Sequence, residues 1–312
     1  MNRSQRLGTA IVLNIILLGG EASAGLIAHS LALFADAGHN LTDAAGLIVS
    51  LIAVRLTLKP PTKTHSFGLH RSTILAALAN AALILVVGTW IVYEAILRIL
   101  HPSSIDPKIM IIVGAGALAI NTVSTVMLWE KSYNTRKAQQ AGQEQKYLNH
   151  KKYDLNMRTA TLHMAGDAAS SLGVIIAGGI IWLKGGWYFV DPAVSMAIAV
   201  IIGIQAWILL RSSTQILLES TPQGLDLAVL EKTIANVQGV QDVHDVHVWS
   251  LTTELPIMAG HIVLKQHPTL EEAQKISDSV KKVILDKFGI NHCTIETECE
   301  RCVDDQVQPC SI

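Results

Sequence analysis

The chain has 312 residues, of which 50% are hydrophobic and 16% charged, with a formal net charge of −1. Soluble domains carry about 25% charged residues, so this composition, with a mean hydropathy of +0.38, excludes an ordinary soluble protein. The balanced charge gives no support for a nucleic-acid partner, and none is expected. The apolar residues fall in long blocks up to about Leu210, and the remainder reads as a soluble domain. The expected domains are a membrane domain over 1–213, a C-terminal domain over 214–298 and a cysteine-containing tail over 299–312.

A membrane-spanning helix needs about 20 mainly apolar residues. Six blocks qualify: Leu7–His29, Leu31–Leu56, Thr73–Leu100, Ile109–Trp129, Thr159–Leu183 and Tyr188–Leu210. The first follows a basic start without an obvious cleavage site, so it reads as a retained helix. Asp191-Pro192 marks the start of the sixth. Lys and Arg concentrate on one side of the spans, among them Arg3, Arg6, Arg55, Arg71, Arg136 and Arg158, with only Arg98, Lys108 and Lys184 on the other. The positive-inside rule then puts both termini in the cytoplasm, in a multi-pass protein of the cell (inner) membrane. The inner loop Glu130–Arg158 is polar and reads as a solvated linker.

After Pro222 the pattern changes. Leu225–Val237 is amphipathic, Val243–Leu251 and Ile257–Leu264 alternate, Leu270–Phe288 is helical, and His292–Glu298 alternates again. The order αββαβ predicts a small sheet with helices on one face. All four cysteines lie within the last twenty residues, which is no disulfide framework.

Polar groups inside spans need a reason, since a charged side chain at the centre costs about 2.5–3.5 kcal/mol on insertion scales. The second span reads ADAGHNLTDAAG and the fifth TLHMAGDAASS. His39 and Asp43 stand at i and i+4, one turn apart on one face, and His163 and Asp167 repeat the spacing. Two imidazoles and two carboxylates make a tetrahedral Zn2+ site and neutralise a dication. The absence of thiolates from the spans argues against copper(I), and calcium and magnesium prefer oxygen alone. Asp36, one turn before His39, is placed to orient that ring. Glu21 reads as a packing or water-cavity residue rather than a ligand.

Further candidate ligands are His65 and His70 in the inner loop THSFGLHR, whose Arg71 needs an acid partner that the sequence does not identify. In the C-terminal domain, Glu296 and Glu298 share a strand face that neighbouring strands can extend with His244 and His261. Cys299 and Cys302 form Cys-x-x-Cys, half of a thiolate zinc site. The reading is a zinc/proton antiporter with Zn2+ as cargo and possible regulatory ligand. An intramembrane metalloenzyme would need an open coordination position and a base, and a metal sensor would not need ligands inside six spans.

SLALFADAGHNLTDA, HSFGLHR and LHMAGDA, with the order of spans, resemble the cation diffusion facilitator family from the first span to about Glu298. Histidine at both His39 and His163 resembles its zinc-transporting branch. The resemblance implies a homodimer with six transmembrane helices and a cytoplasmic, metallochaperone-like αββαβ domain. It further implies exchange of cytoplasmic metal for external protons, with His39, Asp43, His163 and Asp167 as transport ligands. The chain departs from the family pattern in three ways. Thr73 stands where a glutamate is frequent, the fourth-to-fifth loop lacks a histidine-rich run, and Glu296 replaces a histidine of some members.

Overall fold

A computed structural model describes residues 3–122 and 147–300. Six helices come first: α1 (Arg3–Ala28), α2 (Leu31–Thr57), α3 (Ser72–Leu100), α4 (described over Pro107–Thr122), α5 (Tyr147–Lys184) and α6 (Val190–Leu217). Leu31–Thr57, Ser72–Leu100, Gly166–Lys184 and Val190–Leu217 are long and apolar enough to cross a membrane, and Ile16–Ala28 and Pro107–Thr122 are shorter apolar stretches. Helix α5 corrects one expectation. The segment read as a linker is, from Tyr147 onward, the first turns of α5. Leu, Lys, Met and Arg are good helix formers, but a polar helix outside the membrane leaves no mark on hydropathy.

The chain divides into two compact units, residues 1–47 with 80–207, and 48–79 with 208–312. In the first unit small residues let helices approach closely, as is usual in membranes. Ala24 and Ala28 of α1, Ala32 and Leu33 of α2, and Val174 and Ala177 of α5 share one buried cluster with Met110 and Ile198. Gly178 shows why no larger residue would serve. A Cβ there would lie 2.9 Å from Ile111 Cγ1 and 3.1 Å from Met110 Cβ. Val86, Ile112, Ile176 and Ile204 stand exposed, as expected of a lipid-facing surface.

The turn between α1 and α2 is fixed from other helices. His29 takes φ 53°, and Arg98 of α3 donates to its carbonyl at 2.6 Å. Asp191, fully buried at the start of α6, accepts from Ser30 Oγ (2.5 Å), Leu31 N (2.7 Å) and Ala32 N (3.2 Å). It therefore satisfies the free backbone donors at the N-terminus of α2 with a negative charge.

The second unit carries α7 (Leu227–Ala235), β1 (Val240–Thr252), β2 (Leu255–Leu264), α8 (Leu270–Phe288) and β3 (His292–Glu298). The sheet order is β1-β2-β3, with β2 antiparallel to β1 and parallel to β3. Leu230 and Ile234 of α7 and Val280 and Ile284 of α8 pack on Val248, Met258 and Ile262, so one sheet face is core. Thr269 caps α8 through a reciprocal pair with Glu272. Backbone and hydroxyl bonds from Thr269 hold the Glu272 carboxyl below its ordinary range.

Candidate metal sites and family membership

Helix α2 presents His39 and Asp43 one turn apart, and α5 presents Asp167 to them. His39 Nε2 lies 3.0 Å from Asp167 Oδ1 and 3.6 Å from Asp43 Oδ2. Ligand atoms of the three residues all lie within 4.8 Å of one another. His39 is buried, and the two carboxylates are partly buried. At 3.0 Å an imidazole nitrogen and a carboxylate oxygen must share a proton, because both are otherwise acceptors. The arrangement can thus hold either a proton or a cation at the same point. His163 stands on α5 one turn before Asp167, but its side chain lies outside the described residues.

The polar neighbours are engaged with one another across helices. Asp36 accepts from Ser170 Oγ at 2.5 Å and Ser171 Oγ at 3.3 Å. Through these hydroxyls of α5 Asp36 ties α2 to α5. Sequence spacing along α2 carries no information about serines 134 and 135 positions away. Glu21 of α1 is wholly buried and accepts from Asn40 Nδ2 at 2.7 Å.

The C-terminal domain holds a second cluster, formed by His244, His261 and Glu298. His244 pairs with His261 across β1 and β2, and His261 with Glu296 across β2 and β3. Glu298 Oε1 lies 2.8 Å from His261 Nδ1, and Glu298 Oε2 lies 3.4 Å from His244 Nε2. Glu296 is at the periphery, 3.7 Å from His261 Nε2. Sequence reasoning missed Asp245, which approaches His261 Nε2 at 3.8 Å and His247 Nε2 at 2.8 Å. Asp245 takes φ 50° at a register shift between His244 and His247. That bulge lets Val243, Val246 and Val248 all pack on the core, with His244 and His247 between them. Two histidines three apart in an alternating strand were the available signal, since without a bulge they would face opposite ways.

The remaining candidates are not gathered into either cluster. His65 is exposed beside Thr64 Oγ1. His65 and His70 line a cavity of about 1030 Å³ with Arg71, Glu219, His247 and Trp249. The unidentified acid partner of Arg71 is Glu219, at 2.7 Å. Cys299 is exposed just after β3, and Cys302 lies outside the described residues. Cys293 of β3 packs against the core, and burial pushes its thiol above the usual range, which disfavours the thiolate that a metal needs.

Residues 7–218 match the model of the cation efflux transmembrane domain, and 222–300 that of the cation efflux protein cytoplasmic domain. The chain belongs to the cation diffusion facilitator family. Among similar proteins, the zinc transporter ZitB of Escherichia coli is 35% identical over 304 residues, covering 96% of this chain and 89% of ZitB. A cadmium, cobalt and zinc/H(+)-K(+) antiporter of Bacillus velezensis is 33% identical, covering 92% of this chain and 87% of its own. The chain also spans 62% of the length of a Dictyostelium discoideum protein, named a probable zinc transporter, that is 32% identical. As a member of this family the chain is a multi-pass cation efflux transporter and not an enzyme.

Proposed function

We propose that the chain exports Zn2+ from the cytoplasm in exchange for protons, by alternating access around His39, Asp43, His163 and Asp167. The observation that carries the reading is the convergence of His39, Asp43 and Asp167 inside apolar helices. Zinc is borderline-soft and accepts imidazole nitrogen and carboxylate oxygen in tetrahedral geometry. Two carboxylates offset its charge, which removes much of the cost of holding a dication away from water. His163 completes the set by its spacing from Asp167. The zinc named for ZitB and for the Bacillus antiporter supports the same cargo.

Proton exchange follows from the ligand chemistry. Zinc requires an imidazole nitrogen free of its proton and ionised carboxylates. The His39–Asp167 contact holds a proton where the ion would sit, so ion and proton compete for one position. A binding site that alternates between two openings then carries one species each way. The C-terminal domain, by its family match, is the candidate homodimer contact, with both termini in the cytoplasm.

The test is flux in sealed vesicles carrying a zinc dye and a pH dye. Zinc movement should be matched by opposite proton movement and should quicken as the pH gradient is raised. Asp43→Ala and Asp167→Ala should each abolish it while the protein stays folded in the membrane. Normal zinc flux in either variant would refute the site. Zinc flux indifferent to the proton gradient would make the protein a uniporter.

A further inference from the structure

Asn80 is the one side chain able to hydrogen-bond between Thr73 and Thr89 of α3, and it lies against Gly46 of α2. A Cβ at Gly46 would stand 2.6 Å from Asn80 Oδ1, 2.7 Å from its Cγ and 2.8 Å from its Nδ2. The carboxamide therefore occupies the place of a side chain, and only glycine admits it there. Gly46 follows His39 by seven residues and Asp43 by three, which puts all three on one face of α2. One turn further along both helices, His39 and Thr42 of α2 and Ile84 and Val87 of α3 line a small cavity. The contact of α2 with α3 thus borders the proposed ligands. Toward Leu31 the same contact is apolar, with Ala35, Val87, Ile91 and Ala199 packed together. At Gly46 it is not: Asn80 Oδ1 is buried and receives no donor among the described residues. A buried acceptor without a donor raises the free energy of the arrangement that holds it, so the cost of this contact falls at its Gly46 end.

We propose that Asn80 seated on Gly46 forms the cytoplasmic gate of the transport site: α2 and α3 part there to let the ion reach Asp43 and His39, and the unsatisfied amide keeps that parting easy. The inference rests on the export reading above, in which α2 runs from the outer side at Leu31 to the cytoplasm at Thr57. Gly46 then lies about 4.5 Å to the cytoplasmic side of Asp43 by the helical rise. When the helices part, water donates to Oδ1, so the open arrangement recovers the hydrogen bond that the closed one lacks. Parting at the outer end would instead wet Ala35, Val87, Ile91 and Ala199, which the hydrophobic effect opposes. The two ends of one helix contact therefore respond to water with opposite sign, and the Gly46 end opens first. Asn80 acts here through α2 as a positioning residue and need not touch the ion. Asn80→Leu, close in volume, would make the inner end as apolar as the outer and hold it shut.

The experiment uses the full-length protein in lipid nanodiscs, in a His261→Ala background that removes the C-terminal cluster from the zinc signal. Hydrogen exchange at the backbone amides of 43–49, taken without zinc, reports water access at Gly46. Stopped-flow mixing with zinc and a competing dye gives the association rate. Asn80→Leu should slow both rates by about tenfold, equivalent to about 1.4 kcal/mol and within the range for one unsatisfied buried acceptor. Its melting temperature should be equal or higher. Gly46→Ala displaces the amide from its seat and should quicken the exchange. An amide with a merely structural role predicts the reverse for Asn80→Leu, with lower melting and faster exchange. A lower melting temperature in Asn80→Leu, or either rate not slowed, would overturn the proposal. Should Asn80→Leu not reach the membrane folded, Gly46→Ala decides, and exchange there no faster than in the background protein would overturn it. Neither measurement uses a proton gradient, so missing proton counterflow in vesicles would overturn the exchange reading alone. Zinc flux that survives Asp43→Ala would refute the ligand set, on which the exchange data do not depend.

Discussion

Replacing Asp191 tests how the proposed metal ligands on α2 are held. The carboxylate accepts three hydrogen bonds from Ser30, Leu31 and Ala32 and is fully buried. In Asp191→Asn the oxygen can keep Ser30 and Ala32, but the amide faces the Leu31 N–H donor to donor. One buried donor left unsatisfied costs about 1–3 kcal/mol, and losing the anion at a helix N-terminus adds about 0.3–1 kcal/mol. Asp191→Asn should therefore destabilise by about 1–4 kcal/mol. Asp191→Ala orphans all three donors and should cost about 3–9 kcal/mol by the same reckoning, near the whole stability of a typical domain. His39 sits eight residues along α2 from Leu31, about 12 Å at the helical rise. Freeing that end should also slow zinc flux. Thermal unfolding in detergent gives the stability order, and hydrogen exchange at Leu31 and Ala32 locates the effect. An Asp191→Ala protein with unchanged melting and unchanged exchange at those amides would refute the reasoning.

His39→Asp combined with His163→Asp leaves an all-oxygen site, so manganese or calcium should gain relative to zinc in competition flux. In an Asp43→Ala background, His261→Ala should remove the zinc binding that calorimetry assigns to the C-terminal domain, while Cys299→Ser should leave it. Thr269→Ala should cost about 1 kcal/mol, a usual value for losing a cap, read by thermal unfolding. The Glu272 carboxyl it holds is ionised more readily in the folded state. Its contribution is therefore full above the ordinary value of 4.5 and fades as pH falls through the lower folded value. A pH series should show that acid-side loss in the unmodified protein and a smaller one in Thr269→Ala, which loses the hydroxyl bond but keeps the backbone bond to Glu272.

Periodicity made the C-terminal domain legible. The expected Leu270–Phe288 and His292–Glu298 coincide with α8 and β3, because a strong amphipathic stripe and strict alternation bound them. β1 begins at Val240 rather than Val243, since a register shift between Val240 and Asp242 breaks the alternation at that end. Within α2 the His39–Asp43 spacing identified a shared face, because helix geometry alone decides it. What lay across from that face was not legible. The Asp36 contacts with Ser170 and Ser171 and the Arg71–Glu219 pair join residues 134 to 148 positions apart. No local rule links such positions. Glu21 could be flagged as unexplained, but its orphaned oxygen and its bond from Asn40 exist only in the packed helices.

The two His/carboxylate clusters share ligand types and differ in what holds the ligands. In the membrane helices, His39 and Asp43 ride on α2 and Asp167 on α5, with no backbone hydrogen bond between those helices among the described residues. Zinc bonds require about 2.0–2.2 Å, so a displacement of one helix past the other by an ångström breaks the set. In the C-terminal domain, His244, His261 and Glu298 come from three adjacent strands whose ladders fix their spacing. A helix shift therefore changes affinity at the first cluster, as a carrier that must release its cargo requires. The strand-borne cluster lacks that freedom and would retain an ion through the cycle. Stopped-flow release of zinc from the full-length protein should accordingly be biphasic. The fast phase should vanish in Asp43→Ala and the slow phase in His261→Ala. A single phase that survives both substitutions would mean that neither cluster governs the ion that is measured.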